Sequence, residues 1–430
     1  MSIDALASTH ESPLQFAADQ VARASLDHCV KCTICETQCP VARVTELFPG
    51  PKYVGPQAER YRHGKPVDHS LDYCSSCGIC TYVCPQGVEI AELNSQARAV
   101  AKAEPGKMPL RDRLITQTDL MGTVMTPVAP LANWALKQKP IRFAVEKTIK
   151  IHREAPMPVA TTQSFMSWWK KRPKNTTATL GPVVFFHGCA GGYFEVETSK
   201  RTVEVLEKIG YEVLVPKQSC CGLAQQSNGL FDEASKKVVK LAKQLRSAGK
   251  DLQIISSSGS CTGMLKHEAH KIMGIDDPAL LDVSTRMRET SEFLLEQVEL
   301  GLLDPETFRS IEDTVTYHQP CQVKSQGMGT PSITLLELIP GLSIKESGEN
   351  CCGIAGTYGL KEEKYDIAQL VGQPLFNKIK DWSPHLAVCE TETCRWQIRK
   401  GSGAKVVHPV NLIHHALGLS DDLYDRTAKH

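Results

Sequence analysis

What this sequence lacks narrows it first. The 430-residue chain has almost no charge imbalance, with 49 Lys and Arg against 48 Asp and Glu and a formal net charge of +1. No global field draws it to nucleic acid, and nucleic acid is not an expected partner. It has no long apolar run. The longest uncharged stretch, Leu120 to Leu136, is interrupted by Gly122, Pro127, Pro130 and Asn133, whereas a membrane-spanning helix needs about 20 predominantly apolar residues. The opening residues, MSIDALASTHESPLQ, have neither a basic leader nor the apolar stretch of a secretory signal. Nucleotide-binding motifs are missing as well. GMGTPS and GSGAKV fail at the third glycine of a G-x-G-x-x-G, and GIAGTYG has the wrong spacing. There is no P-loop and no H-E-x-x-H. No catalytic residue is assigned, and oxidation of an organic substrate is expected on a different polypeptide.

What is present is a folded-protein composition, 41% hydrophobic and 23% charged, over a length that suggests two to four domains. It also has 17 cysteines. An odd number of thiols in a long chain without an export signal reads as metal ligands or catalytic groups, because disulfides are rare in a reducing cytosol.

Eight of them stand in two copies of one phrase. Cys29, Cys32, Cys35 and Cys39-Pro40 form the first; Cys74, Cys77, Cys80 and Cys84-Pro85 form the second. C-x2-C-x2-C-x3-C-P is the bacterial ferredoxin run for [4Fe–4S] clusters, in which the fourth cysteine ligates the other cluster. The expected sets are Cys29, Cys32, Cys35 and Cys84 for one cluster, and Cys74, Cys77, Cys80 and Cys39 for the second. Structural zinc also uses C-x2-C pairs, but it gains nothing from a third evenly spaced cysteine and a Cys-Pro. After Cys84, VEIAELNSQARAVAKAE has helical periodicity with a stop at Pro105-Gly106.

From Met108 to about Thr179 the chain is rich in Pro and Lys. TQTDLMGTV and KPIRFAVEKTIKIH read as short amphipathic helices separated by prolines. SFMSWWKKRPK sets Phe165, Trp168 and Trp169 beside Lys170, Lys171 and Arg172. Such a stripe suits a membrane interface, although packing of a helix on its own domain is the commoner use.

Beyond Leu180 the sequence repeats weakly. VVFFHGC, KQSCCG and LQIISSSGSCTGML are followed by TVTYHQPC, GENCCG and HLAVCETETCRWQI. The interval from His187 to His318 equals that from Cys220 to Cys351, while the outer cysteines slip by one or two positions. Each copy alternates apolar strands with amphipathic helices, such as Glu197 to Ile209 and Asp232 to Arg246, which implies a parallel sheet. Cys189, Cys261 and Cys321 follow strand-like runs, at the ends where such sheets gather ligands.

Cys220-Cys221-Gly222 and Cys351-Cys352-Gly353 are the sharp features, since neighbouring cysteines suit different irons of one cluster better than one small ion. The metal candidates are Cys189, Cys220, Cys221 and Cys261 in the first copy, and Cys321, Cys351, Cys352, Cys389 and Cys394 in the second. One further iron–sulfur centre is expected in the second copy and another is conceivable in the first. Structural zinc and a redox-active dithiol stay open as alternatives. His187 and His318 read more readily as packed residues than as ligands, and His408, His414 and His415 in the tail read as structural.

The fold expected is α+β and multidomain. It has an α-helical bis-[4Fe–4S] ferredoxin-type domain at 1–104 and a helical connector at 105–179 that could dock a membrane, a quinone or a partner. A duplicated α/β parallel-sheet module with the Cys-Cys-Gly (CCG) signature follows at 180–305 and 306–430.

Two ferredoxin motifs followed by two CCG modules resemble the iron–sulfur subunits of quinone-linked hydroxyacid and glycerol phosphate dehydrogenases, and the same modules occur in heterodisulfide reductases. CVKCTICETQCPVARV, FPGPKYVGPQAERYR, TDLMGTVMTPVAP, NCCGIAGTYGLKEEKY and ETCRWQI are most similar to the anaerobic glycerol 3-phosphate branch of that family. The resemblance covers about Asp27 to Leu417. It implies that flavoprotein partners of A and B type oxidise sn-glycerol 3-phosphate to dihydroxyacetone phosphate. This subunit would take the electrons, hold the flavoproteins peripherally at the cytoplasmic face of the inner membrane, and pass the electrons to menaquinone. The iron–sulfur subunit of a glycolate or lactate dehydrogenase and a thiol–disulfide reductase are the alternatives. One departure stands out. Thr391 occupies the first cysteine of the family's final C-x-x-C, and Cys389 lies two residues earlier.

Overall fold

The computed structural model describes residues 22–59, 69–103, 109–173, 178–383 and 385–422. The expected helix stop at Pro105-Gly106 and the start and end of the chain lie outside them.

The amino-terminal module has little regular structure, because its chain is bent to bring cysteines together. Ile34–Thr37 and Ile79–Tyr82 are single turns that carry Cys35 and Cys80. The helix Ile90–Ala103 closes the module by burying Ile90, Leu93 and Ala97.

The rest is built on two four-stranded sheets. β1 (Pro182–Phe186), β2 (Glu212–Leu214), β3 (Ile254–Ser256) and β4 (Met287–Glu289) lie in the order β2-β1-β3-β4. β5 (Asp313–Tyr317), β6 (Leu342–Glu346), β7 (Leu386–Val388) and β8 (Lys405–Val407) repeat that order as β6-β5-β7-β8. Every pairing is parallel. Central parallel strands are covered on both faces and so read as continuous apolar runs; β3 and β7 are buried at every position. Crossover helices join them. Val196–Ile209 buries Val196, Val203 and Leu206 and stops at Gly210, whose φ of +117° lets the chain turn off the helix.

The two sheets share one core. Phe185, Val203, Leu206 and Leu294 of the first repeat cluster with Val315, Leu335, Val388, Val410 and Ile413 of the second. Val196–Ile209 packs on Pro409–Ala416, and Thr290–Glu299 packs reciprocally on Pro331–Leu336. Burial of each such side chain stabilises by about 1.5–3 kcal/mol. A glutamate adds to the joint: Glu195 accepts from Trp396 Nε1 at 2.6 Å and lies 3.4 Å from Arg395 Nη2, which is fully buried.

The connector is a roof on this pair. Leu110–Ile115, Thr118–Met125, Ala129–Lys137 and Lys139–Ile149 are its helices, two of them at the amphipathic stretches the periodicity marks. Lys361 Nζ reaches Asp112 of the connector at 2.8 Å and Asn228 of the first repeat at 2.9 Å. Gln225 Nε2 donates to the Thr116 carbonyl at 2.7 Å. Gly122 is pressed on the Tyr193 ring with no room for a Cβ. The aromatic–basic stripe forms the helix Phe165–Lys171, which packs inward: Phe165 is fully buried against Phe185, and Arg172 stacks on Trp168 and Trp169 and pairs with Glu207. Among the described residues no helix is long and apolar enough to cross a membrane.

Candidate metal centres

All 17 cysteines are free thiols. In the amino-terminal module, Cys29, Cys35 and Cys84 lie together with Val88 and Ile90, while Cys32 is exposed at the molecular surface. Cys39 lies with Cys74 and Cys77, and Cys80 faces the same three sulfurs while touching the first group. The cysteine before each proline therefore sits beside the other loop's thiols.

The two loops share a backbone. Lys31 and Thr33 in the first, and Ser76 and Gly78 in the second, all have φ between 55° and 77°. Non-glycine residues seldom adopt that conformation, and here it recurs at matching positions. Backbone N–H groups point at sulfur: Ala42 donates to Cys39 Sγ at 3.5 Å and Val88 to Cys84 Sγ at 3.4 Å. Burial, with Glu36 adding, pushes the Cys35 thiol up to about 11, and burial pushes Cys39 up to about 12. These sulfurs become thiolates when a cation takes the proton's place.

The two repeats build matching thiol groups. In the first, Cys220 accepts hydrogen bonds from the Cys189 and Cys221 thiols, which holds it well below the ordinary thiol range. Cys221 lies 3.2 Å from Cys261. In the second, Cys351 is lowered in the same way by Cys321 and then Cys352, and Cys352 meets Cys394. Cys389 adjoins Cys394 as a fifth thiol. The glycine of each Cys-Cys-Gly has two tasks. Gly222 and Gly353 donate their N–H to Cys220 and Cys351 at 3.4 and 3.3 Å, from left-handed conformations of +86° and +93°. Each is also pressed on a helix backbone; a Cβ on Gly353 would run into the Ala368 carbonyl.

Thr391, which stands in place of a cysteine, has its hydroxyl 3.3 Å from Ser260 Oγ. Its counterpart Ser258 donates to Glu392 at 3.1 Å. Both positions serve the joint between the repeats. His408, His414 and the neighbours of His415 are packing residues of the last helix: His408 accepts from Val410 N–H as its cap and His414 pairs with Glu204.

Each repeat has four thiols that meet pairwise in a chain, with an N–H group directed at one sulfur, and such donors suit an iron–sulfur cluster. Between the two sets lies a cavity of about 310 Å³. Cys189, Cys220, Cys261, Cys321, Cys351 and Cys394 line it, and Leu114, Met121, Ile149 and Ile151 of the connector cover it. Cys77 of the ferredoxin-type module reaches the same space, and Cys39, Cys77, Cys321 and Cys351 share one apolar cluster. The cavity was not legible in the sequence, since its wall comes from four distant segments.

Ferredoxin-type cysteine loops leading into a duplicated cysteine-rich α/β pair define an iron–sulfur electron-transfer protein. Residues 25–88 match the 4Fe-4S dicluster domain family, and residues 183–266 and 315–399 match the Cysteine-rich domain family. The chain is 36% identical over 398 residues to the C-type subunit of the anaerobic glycerol-3-phosphate dehydrogenase of Escherichia coli strain K12, covering 91% of this chain and 99% of that protein. It belongs to the family of anaerobic glycerol-3-phosphate dehydrogenase iron–sulfur subunits. Lactate utilization protein A of Oceanobacillus iheyensis is 29% identical over 252 residues, which is 54% of this chain and 96% of that protein. The uncharacterized protein YkgE of Escherichia coli strain K12 is 28% identical over 242 residues, or 53% and 96%.

Proposed function

We propose that this chain takes electrons from A- and B-type flavoprotein subunits that oxidise sn-glycerol 3-phosphate, and delivers them to a quinone, menaquinone or its like, at the cytoplasmic face of the inner membrane. Clusters of iron and sulfide, when bound, supply reversible one-electron storage. The protein's own contribution is the route. Cys29, Cys32, Cys35 and Cys84 hold the end open to solvent and to a donor. Cys39, Cys74, Cys77 and Cys80 hold the inner site, and Cys321, Cys351, Cys352 and Cys394 the site beyond it. Cys189, Cys220, Cys221 and Cys261 face the second repeat across the cavity. The observation that carries this reading is the apolar cavity walled by thiols of both repeats, beside Cys77. It suits a hydrophobic acceptor with a planar head.

Membrane attachment is assigned to the connector. Leu120, Val124, Val128, Leu131 and Trp134 are all exposed on its helices. The acids among them are engaged: Asp112 with Lys361, Asp119 with Lys237 and Glu146 with Arg153. Lys137, Lys139 and Lys147 remain to meet anionic headgroups. The stripe at Phe165 to Lys171 is not part of this face, because it is spent on packing.

The test uses the complex with its flavoproteins and anionic vesicles. Ile151→Trp, which fills the cavity, is expected to abolish quinol formation while glycerol 3-phosphate still reduces the iron–sulfur centres. Unchanged quinol formation would place the acceptor elsewhere. Leu131→Asp with Trp134→Asp is expected to release the complex from the vesicles. Lactate-linked function is favoured only by relatives that match about half of the chain; purification with a lactate-oxidising companion would support it.

A further inference from the structure

We propose that His318 is a metal ligand of the second repeat, which makes its centre a mixed sulfur–nitrogen site, whereas the first repeat holds an all-thiol one. The inference rests on the reading that the second repeat carries an iron–sulfur centre.

His318 follows β5 directly and is fully buried. Its backbone is fixed by an N–H bond to the Val388 carbonyl at 3.0 Å. One ring nitrogen, Nδ1, is 3.3 Å from Ser347 Oγ. Ser347 is itself held by an N–H bond to the Tyr317 carbonyl at 2.9 Å. The other nitrogen, Nε2, is buried without any hydrogen-bond partner. A buried polar atom left unpartnered is costly and calls for an explanation. The ligand atoms of His318, Cys352 and Cys394 all lie within 4.8 Å of one another. Around one ion, with metal–sulfur bonds of about 2.3 Å and metal–nitrogen bonds of about 2.0 Å, such atoms stand roughly 3.5 Å apart. Side-chain rotation covers the difference. The Ser347 hydroxyl thus orients one ring nitrogen and leaves the other free, as a ligating imidazole requires.

The first repeat is the internal control. His187 occupies the same place after β1, with its Nδ1 2.5 Å from the Gly188 carbonyl, its ring tilted against Phe165 and its Nε2 likewise buried without a partner, so what separates the copies is the thiols beside the ring. Among the described residues it forms no group with two thiols of the kind His318 forms. The single sequence landmark that keeps its interval with the Cys-Cys pairs thus does different work in each copy.

A neutral imidazole in place of a thiolate removes a negative charge from the centre and raises its reduction potential, as two histidines do in Rieske centres. The second repeat, beside Cys77, then lies downhill from the ferredoxin-type sites.

The experiment uses the full chain, purified anaerobically with natural-abundance or 15N-labelled histidine, and pulsed electron paramagnetic resonance in oxidised and reduced states. The second-repeat signal is identified by its loss in Cys351→Ser. A directly bonded nitrogen that changes with the label is expected in the wild type and in His187→Gln. It should vanish in His318→Cys, with iron content kept and the midpoint potential shifted down. His318→Gln gives the same comparison if the cysteine variant fails to fold. Iron clearly above eight per chain without a coupled nitrogen in any redox state, or coupling that survives in His318→Cys, overturns the proposal. Iron at about eight, the content of two cubanes, overturns the underlying reading as well.

Discussion

The two repeats share strand order, core and a four-thiol group, and they differ in what lies beside that group. The first repeat's thiols face the cavity and that repeat's own core, where Cys221 and Cys261 lie with Val184, Phe186 and Leu265. The second repeat's Cys321 and Cys351 touch the apolar cluster that holds Cys39 and Cys77, and it alone adds Cys389 and, among the described residues, a histidine grouped with two thiols. Duplication repeats the thiol arrangement; the thiols of the amino-terminal module cluster with those of the second copy. The difference in cysteine count, five against four, singles out the second copy less by its thiols than by its position.

The largest expected effect comes from breaking one copy's scaffold. Gly353→Ala forces a Cβ into the Ala368 carbonyl and holds alanine in a left-handed conformation, at about 3 kcal/mol or more. Loss of the second repeat's metal is expected, read by metal analysis and thermal melting. Gly222→Ala, whose Cβ would stand 2.9 Å from the Ala234 carbonyl, should do less, so equal losses would mean that the copies are equally tight.

Next comes the joint. Glu195→Ala leaves Arg395 buried without its carboxylate and Trp396 Nε1 without an acceptor, at about 3 kcal/mol. Denaturant melts should show it, with both repeats unfolding in one transition. Two separate transitions would contradict a shared core.

A third comparison lies where the copies meet. Glu289 and His408 cap the last helices of their repeats, and the two side chains are 3.4 Å apart. This contact is not an ion pair, because burial raises Glu289 to about 7 and holds His408 well below its ordinary value. Glu289 is raised in the folded state, so its contribution is intact below the unfolded value near 4.5 and is lost as pH climbs through about 7. The loss amounts to up to about 3 kcal/mol. Glu289→Gln should therefore gain melting temperature relative to the wild type between pH 5 and pH 8. A difference that stays constant with pH would show that Glu289 is not protonated in the fold.

The smallest effect is expected at the rim. Lys400 and Glu154 form a half-exposed pair 2.9 Å apart, and Lys400→Ala should change stability by less than about 0.5 kcal/mol. A larger change would mean that the connector depends on surface charge rather than on Lys361 and Gly122.

The parts legible in the sequence were the local ones. Cysteine spacing within a loop is set by the loop's own backbone, so the ferredoxin-type phrases and Cys-Cys-Gly stand out. Strands buried on both faces, such as VVFF, announce themselves by continuous apolar character. The shared core left no period to read, because its members, such as Leu206 and Val410, come from different repeats. The roof over the cavity was equally hidden. Proline-rich spacing in the connector marks helix ends, but nothing in it says that Ile115 and Met121 turn inward while Leu131 turns out. His187 and His318 hold matching places in the repeat and part through what their rings meet, Gly188 and Phe165 for the one, Ser347, Cys352 and Cys394 for the other.

Everything turns on whether electrons leave the ferredoxin-type sites through the second repeat. The decisive measurement follows quinol formation and the iron–sulfur signals together, in the complete complex carrying Cys351→Ser, after addition of glycerol 3-phosphate. The ferredoxin-type centres are expected to be reduced and to stay reduced, with quinol formation lost. Quinol formation at the wild-type rate would contradict that route.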